Sequence, residues 1–182
     1  APRERHAGRH GCLPYGPPHL RHALRMPISP ARTPADVAVA RELFVEYGES
    51  LGFSLCFQGF DEELATLPGR YAEPHGAILL AREPEGAAGC VALRPLGDDG
   101  SPRCEMKRLF VRPAFRGRGI GRALATEILA VARRAGYREM ALDTVDTMTE
   151  AIALYRSLGF REIPPYTFNP LPNVVYLGVA LA

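Results

Sequence analysis

The sequence predicts an α+β domain: a mixed sheet with helices packed against it. Three observations predict it. The chain has 182 residues, 47% of them apolar, which is enough for one well-buried domain and too few for two ordinary ones. Apolar side chains recur at helical spacing near the start and then, from Ala77, give way to short β-rich runs divided by turn residues. The segment Arg116-Gly117-Arg118-Gly119-Ile120-Gly121 stands where the last of these runs meets a strongly periodic helical stretch.

Residues 1–25 carry five Arg against Glu4 alone, a charge of +4, which leaves −2 for the remainder of a chain whose formal total is +2. Four of the five histidines lie there too. Rich in Pro and Gly and poor in aliphatics, this prefix cannot bury enough surface to offset the entropy of ordering. It is expected to be a disordered basic extension, with Met26 a natural start to a domain over 26–182. A nucleic-acid-binding arm is the alternative, disfavoured because no pattern of aromatic residues interleaves with the charges, Tyr15 standing alone among them.

The domain opens on Thr33-Pro34-Ala35-Asp36. Thr33 suits an N-cap, Pro34 the first helical position, and Asp36 the positive helix end. Val37, Ala40, Phe44 and Tyr47 follow at helical spacing, and Gly48 and Gly52 loosen the end. Asp61 is expected to cap a short second helix carrying Leu64 and Leu67, stopped by Pro68-Gly69. Strands are predicted over 77–81, 88–93 and 103–111, with hairpin turns at Glu85-Gly86 and Asp98-Asp99-Gly100. The next helix places Ile120, Leu124, Ile128, Val131 and Ala135 on one face, Arg133 and Arg134 at its negative end, and Gly136 just beyond. A strand over 139–143 follows. A further helix is opened by a capping box of Thr147 and Glu150 and ended at Gly159, and a closing strand covers 174–181. The predicted order is α, α, a β-meander, then βαβαβ.

No stretch approaches the apolar length that spans a bilayer, and His, Arg, Gly and Pro interrupt the start where a secretory signal would need an apolar core. A soluble, cytoplasmic protein with no membrane partner is expected. Cys12, Cys56, Cys90 and Cys104 are widely spaced and form no CxxC pair, so neither a metal site nor a disulfide framework is expected. Cys90 and Cys104 fall in apolar strand-like runs, where a thiol is a small buried hydrophobe. Neither is given a catalytic role.

The chemistry gathers at Gly117, Gly119 and Gly121. Alternating glycines between a strand and a helix leave consecutive N–H groups free to point into one concavity, the helix N-terminus adds partial positive charge, and Arg116, Arg118 and Arg122 add full charges. A plain tight turn would not need the flanking arginines. A P-loop would place Lys-Ser or Lys-Thr after its last glycine, but Arg122-Ala123 follows Gly121. A dinucleotide fingerprint would place Gly or Ala where Leu124 stands.

The loop resembles that of the GNAT superfamily of N-acetyltransferases, whose acyl-CoA segment reads Gln/Arg-x-x-Gly-x-Gly/Ala and matches Arg116, Gly119 and Gly121. Glu105-Met106-Lys107-Arg108-Leu109-Phe110-Val111-Arg112-Pro113 is similar to the family's splayed central strand and its exit. Ala151-Ile152-Ala153-Leu154-Tyr155-Arg156-Ser157-Leu158-Gly159-Phe160 resembles the second signature. The resemblance covers residues 26–182. It implies a central, mostly antiparallel twisted sheet with splayed central strands, flanked by helices. It also implies acetyl-CoA as co-substrate without a metal, and transfer of the acetyl group to a primary amine by direct attack on the thioester.

By that resemblance, Leu109, Phe110 and Val111 offer backbone groups to the pantetheine arm and thioester carbonyl, and the loop N–H groups from Arg116 through Gly117, Arg118, Gly119, Ile120 and Gly121 to Arg122 take the pyrophosphate. Tyr155 occupies the position of the tyrosine that protonates the CoA thiolate, a proton transfer that the similar pKa values of phenol and thiol keep nearly balanced. Glu105 stands where certain members place a glutamate that deprotonates the amine; an ion pair with Lys107 at the surface is its structural alternative. Met148-Thr149-Glu150 replaces an asparagine that often contacts the CoA arm. Acceptor recognition falls to residues 47–71, with Glu49, Phe53, Phe57, Asp61, Glu62 and Glu63, and to the rigid loop 164–173. A small-molecule amine or amino acid is the expected acceptor, with a protein acceptor or a catalytically silent acyl-CoA-binding regulatory module as alternatives. Family members often dimerise, so a homodimer is one expected assembly.

Overall fold

The computed structural model describes residues 27–97 and 100–181. The basic prefix, Cys12 and the Asp98-Asp99 part of the second hairpin turn lie outside the described residues. In chain order the elements are β1 (Ile28–Pro30), α1 (Pro34–Ser50), α2 (Phe60–Thr66), β2 (Ala77–Glu83), β3 (Gly86–Pro95), β4 (Arg103–Val111), α3 (Ile120–Arg134), β5 (Glu139–Val145), α4 (Thr149–Ser157), β6 (Arg161–Glu162) and β7 (Val174–Ala180).

α1 begins as its residues dictate. The Thr33 hydroxyl accepts from the Asp36 N–H at 3.1 Å while the Asp36 carboxylate accepts from the Thr33 N–H at 3.0 Å, so two otherwise orphaned donors are satisfied. The other two predicted caps are different. Gly59, in a left-handed conformation, takes the N-cap of α2, and Asp61 falls within its first turn. At α4 the cap is Met148, with no side-chain bond, because residues 145–148 turn tightly off β5 with the Met148 N–H on the Val145 carbonyl. Thr147 is left too far out to form the expected capping box.

The strands form one seven-stranded sheet in the order β1-β2-β3-β4-β5-β7-β6, antiparallel throughout except for the parallel pair β4 and β5. The predicted order βαβαβ gains β6 between α4 and β7, and β7 returns antiparallel to β5. α3 crosses one face and buries Ile120, Leu124, Ala125, Ile128, Leu129 and Ala132 against Val91, Leu93, Cys104, Met106 and Met140. α1 covers the other face, where Ala40, Leu43 and Phe44 meet Ile78, Leu80, Cys90, Ala92 and Phe110. Cys90 and Cys104 are buried within these layers, and burial pushes both thiols up, that of Cys104 to about 12.

Two departures from regular pairing shape the middle of the sheet. β4 and β5 pair only from Arg103 opposite Glu139 to Glu105 opposite Ala141, after which β4 stays with β3 and β5 with β7. Between Cys90 and Ala92 the β3–β4 register slips, so that Arg108 and Leu109 together oppose Val91, with Arg108 at φ 56°. Such a bulge bends and twists its strand, and here it accompanies the opening of a V between β4 and β5. Gly89 faces the strand just past the bulge, and a β-carbon there would collide with the Phe110 carbonyl oxygen. Gly89→Ala should therefore cost about 1–3 kcal/mol of stability, read by denaturant unfolding; an unchanged midpoint would contradict this packing.

Candidate active site

α3 opens from a loop in which Gly117 and Gly119 adopt φ values of 75° and 79°, a region costly for any residue with a β-carbon. The Arg116 N–H is spent on the Pro113 carbonyl at 3.2 Å and the Ala123 N–H on Gly119 at 3.0 Å. Among the described residues, no protein acceptor takes the amides between them, 117–122. Six neighbouring donors at the positive end of a helix make an anion cradle. The flanking arginines are anchored beside it: Arg116 on the Val111 carbonyl at 3.1 Å, Arg118 over the Phe115 ring at 5.2 Å, and Arg122 on the Ser157 hydroxyl at 2.9 Å.

A cavity of about 320 Å³ runs from this loop along Leu109, Phe110 and Val111. It shares Tyr47, Leu109, Met148 and Ala151 with a second space of about 80 Å³ inside the V of β4 and β5. Arg116, Gly117, Gly119, Ile120 and Gly121 line the first cavity. Arg118 and Arg122 line neither and contribute their charges from the rim. Tyr155, only 8% exposed, lines the second, with its ring against Phe160 at 5.7 Å. Burial raises the pKa of its hydroxyl, for which no hydrogen bond is found among the described residues, so the phenol keeps its proton at neutral pH.

The model of the acetyltransferase (GNAT) family matches residues 40–160. The chain belongs to the GNAT acetyltransferases. An uncharacterized N-acetyltransferase of Schizosaccharomyces pombe is 44% identical over 156 residues, covering 85% of this chain and 94% of that protein. An aminoglycoside N(6')-acetyltransferase type 1 of Stenotrophomonas maltophilia is 31% identical over 146 residues, covering 77% of this chain and 90% of its own length. Among solved structures, a putative acetyltransferase from Salmonella typhimurium with its cofactor acetyl-CoA aligns with a TM-score of 0.64 at 23% identity, over 86% of this chain and 94% of that one. The expected GNAT fold is thus present, and the chain is an acyl-CoA-dependent N-acetyltransferase.

In this acetyltransferase Glu105 does not line the cleft. It is 1% exposed and sits one ion pair behind, accepting from Arg94 Nε at 2.7 Å and the Tyr166 hydroxyl at 2.8 Å, with Lys107 Nζ at 3.4 Å. The pair with Lys107 exists, but it is buried instead of lying at the surface. Burial favours the protonated form of Glu105, yet Lys107, Arg94 and the Tyr166 bond outweigh it and hold the carboxyl below its usual range. Such a group is a poor proton acceptor at neutral pH.

The carboxylate that lines the space inside the V is Asp143, on β5 where the V opens, while Glu150 lines the cavity beside the glycine loop. Its oxygens accept from Lys107 Nζ at 2.9 Å and Asn169 Nδ2 at 2.7 Å, so the loop 164–173 is tied to both buried acids, through Tyr166 and Asn169. Of the acceptor candidates Glu49, Phe53, Phe57, Asp61, Glu62 and Glu63, only Phe53 lines the cleft. Glu63 instead receives Arg108 in a two-pronged pair, 2.8 Å on each side, that holds the bulge. Met148, at the position of the absent asparagine, lines both cavities.

The acids set a pH dependence. For Asp143, burial raises the pKa but Lys107 and Asn169 lower it further, and Glu105 is likewise depressed. A carboxylate with a depressed folded pKa stabilises the fold above its unfolded pKa of about 4, and that stability is lost as pH falls through the folded value. Lys107→Met should move this loss to higher pH, followed by thermal unfolding across an acid series; an unmoved acid limb would contradict the shared-cation arrangement.

Proposed function

We propose that this acetyltransferase transfers the acetyl group of acetyl-CoA to the primary amine of a small molecule, by direct attack of the amine on the thioester. The observation that carries this reading is a pair of cavities with four lining residues in common, one at the glycine loop and the edge of β4 and the other at Tyr155 inside the V. The residues fit the co-substrate in charge and in shape. Six free donors suit a pyrophosphate, and the edge of β4 past Glu105, which β5 leaves unpaired, suits the amide-bearing pantetheine arm. Bound acetyl-CoA supplies an activated acyl group.

The chain's own groups do the rest. The amides of 117–122 hold the anion, and the backbone at Leu109, Phe110 and Val111 holds the arm and aligns the thioester carbonyl. Tyr155 holds a proton for the departing sulfur, and the proton that the neutral attacking amine sheds as the C–N bond forms and the C–S bond breaks goes to solvent water, from which the phenolate is reprotonated. Glu105 acts from behind, fixing Lys107 and through it Asp143. The limited space in the V and the aminoglycoside acetyltransferase relative favour a small acceptor.

Thiol release from acetyl-CoA, measured over a panel of primary amines, amino acids and peptides and paired with thermal shift, tests this reading. The expected result is stabilisation by acetyl-CoA and thiol release with at least one small amine. No stabilisation by acetyl-CoA, alongside stabilisation by another phosphate ligand, would overturn the binding claim. Stabilisation without release on any acceptor would make the protein a silent acyl-CoA-binding module, and release confined to peptides would make it a protein acetyltransferase.

A further inference from the structure

We infer that Asp143 is the group that receives the acceptor's amino group, and that the acceptor is a primary amine on an apolar body with no carboxylate beside the nitrogen. This rests on the transferase reading above and names the substrate class of the same site.

Asp143 lies two residues past the last β4–β5 pair, at Ala141, and shares the smaller cavity with Tyr155. Among the described residues lining that cavity, the charged ones are Lys107, Arg108 and Asp143. Both cations are already paired with carboxylates of the protein. Arg108 gives Nε and one terminal nitrogen to Glu63 and the other to Gln58, while Lys107 is shared between Asp143 and Glu105. Asp143 is differently placed, because each of its oxygens accepts one protein hydrogen bond. A carboxylate offers about four lone-pair sites, so two remain for the N–H groups of an incoming amine.

Leu51, Phe53, Leu55 and Leu171 line this cavity and not the one at the glycine loop, and they suit an apolar body. An α-amino acid would bring its carboxylate against Asp143 and find no unpaired cation to receive it, so repulsion and desolvation both oppose it. Asp143 holds the nitrogen by its N–H groups, and the depressed pKa of its carboxyl suits a holding group better than a proton store. Glu105 and Lys107 are positioning residues for that carboxylate.

The test compares 2-phenylethylamine with phenylalanine on the wild-type protein, and then measures Asp143→Asn. The wild type should use the amine with a kcat/KM at least about tenfold above that for the amino acid. Asp143→Asn should raise the KM for the amine about tenfold or more, the loss of a hydrogen bond to a charged group, with an unchanged Kd for acetyl-CoA. Equal or better use of phenylalanine, faster transfer to a peptide amino terminus, or an unchanged amine KM in Asp143→Asn overturns the inference while leaving the transferase reading intact. The wild-type comparison stands even if the variant does not fold. Absence of transfer to every acceptor overturns the transferase reading itself.

Discussion

Tyr155→Phe should lower kcat about a hundredfold or more and leave the Kd for acetyl-CoA unchanged. The substitution removes only a hydroxyl that bonds to nothing in the protein among the described residues, while the ring keeps its contact with Phe160. Stability should therefore hardly change, which separates a chemical effect from a folding one. Burial keeps the phenol facing the V protonated well above neutral pH and makes it a weaker acid than a free phenol, so it gives its proton only as negative charge develops on the departing sulfur beside it. Rapid-mixing measurement of thiol release resolves the chemical step; an unchanged rate would remove Tyr155 from proton donation and leave it a packing residue of α4.

Arg108→Met should cost about 3–5 kcal/mol of stability. Arg108 is 3% exposed and carries its guanidinium over the Phe60 ring at 5.0 Å and near the Tyr47 ring at 5.9 Å, while both its prongs meet Glu63. Its removal strands the mostly buried Glu63 carboxylate without a partner, which is the costly half of a broken buried pair. The double replacement Arg108→Met with Glu63→Gln should recover a large part of the loss, because it leaves no uncompensated charge. Denaturant unfolding of the three proteins measures the coupling. A loss below about 1 kcal/mol for Arg108→Met would show that the pair behaves as a surface contact and does not hold the bulge.

What was legible in the sequence was local. The Thr33–Asp36 cap, the bounds of β4, the glycine loop and the stripe of α3 all depend on residues a few positions apart, and each is where the pattern put it. β1 and β6 passed unread because three and two residues carry no periodicity, and their pairing comes from neighbours in space. The V was expected only through the family resemblance, which implied splayed central strands, and the bulge was hidden, since a register slip between β3 and β4 is a relation between strands. The buried acids are the clearest case. Glu105 was singled out from its place in a motif, but its partners Arg94, Lys107 and Tyr166 span β3, β4 and a loop 61 residues on. Asp143 read as the plain end of a strand, and only the splay places it in the cleft. A carboxylate directly after the apolar run Met140-Ala141-Leu142 is the signal in the sequence that points to it.

The central claim is that the cleft moves an acetyl group from sulfur to nitrogen. Its most direct test is to quantify both products of one reaction, the free CoA thiol and the N-acetylated amine, with acetyl-CoA in excess over a single small amine acceptor. The expected result is one acetylated nitrogen for each thiol released, with both falling together in Tyr155→Phe. Thiol released without N-acetylated product would mean that the cleft delivers acetyl groups to water, and would contradict the transferase account.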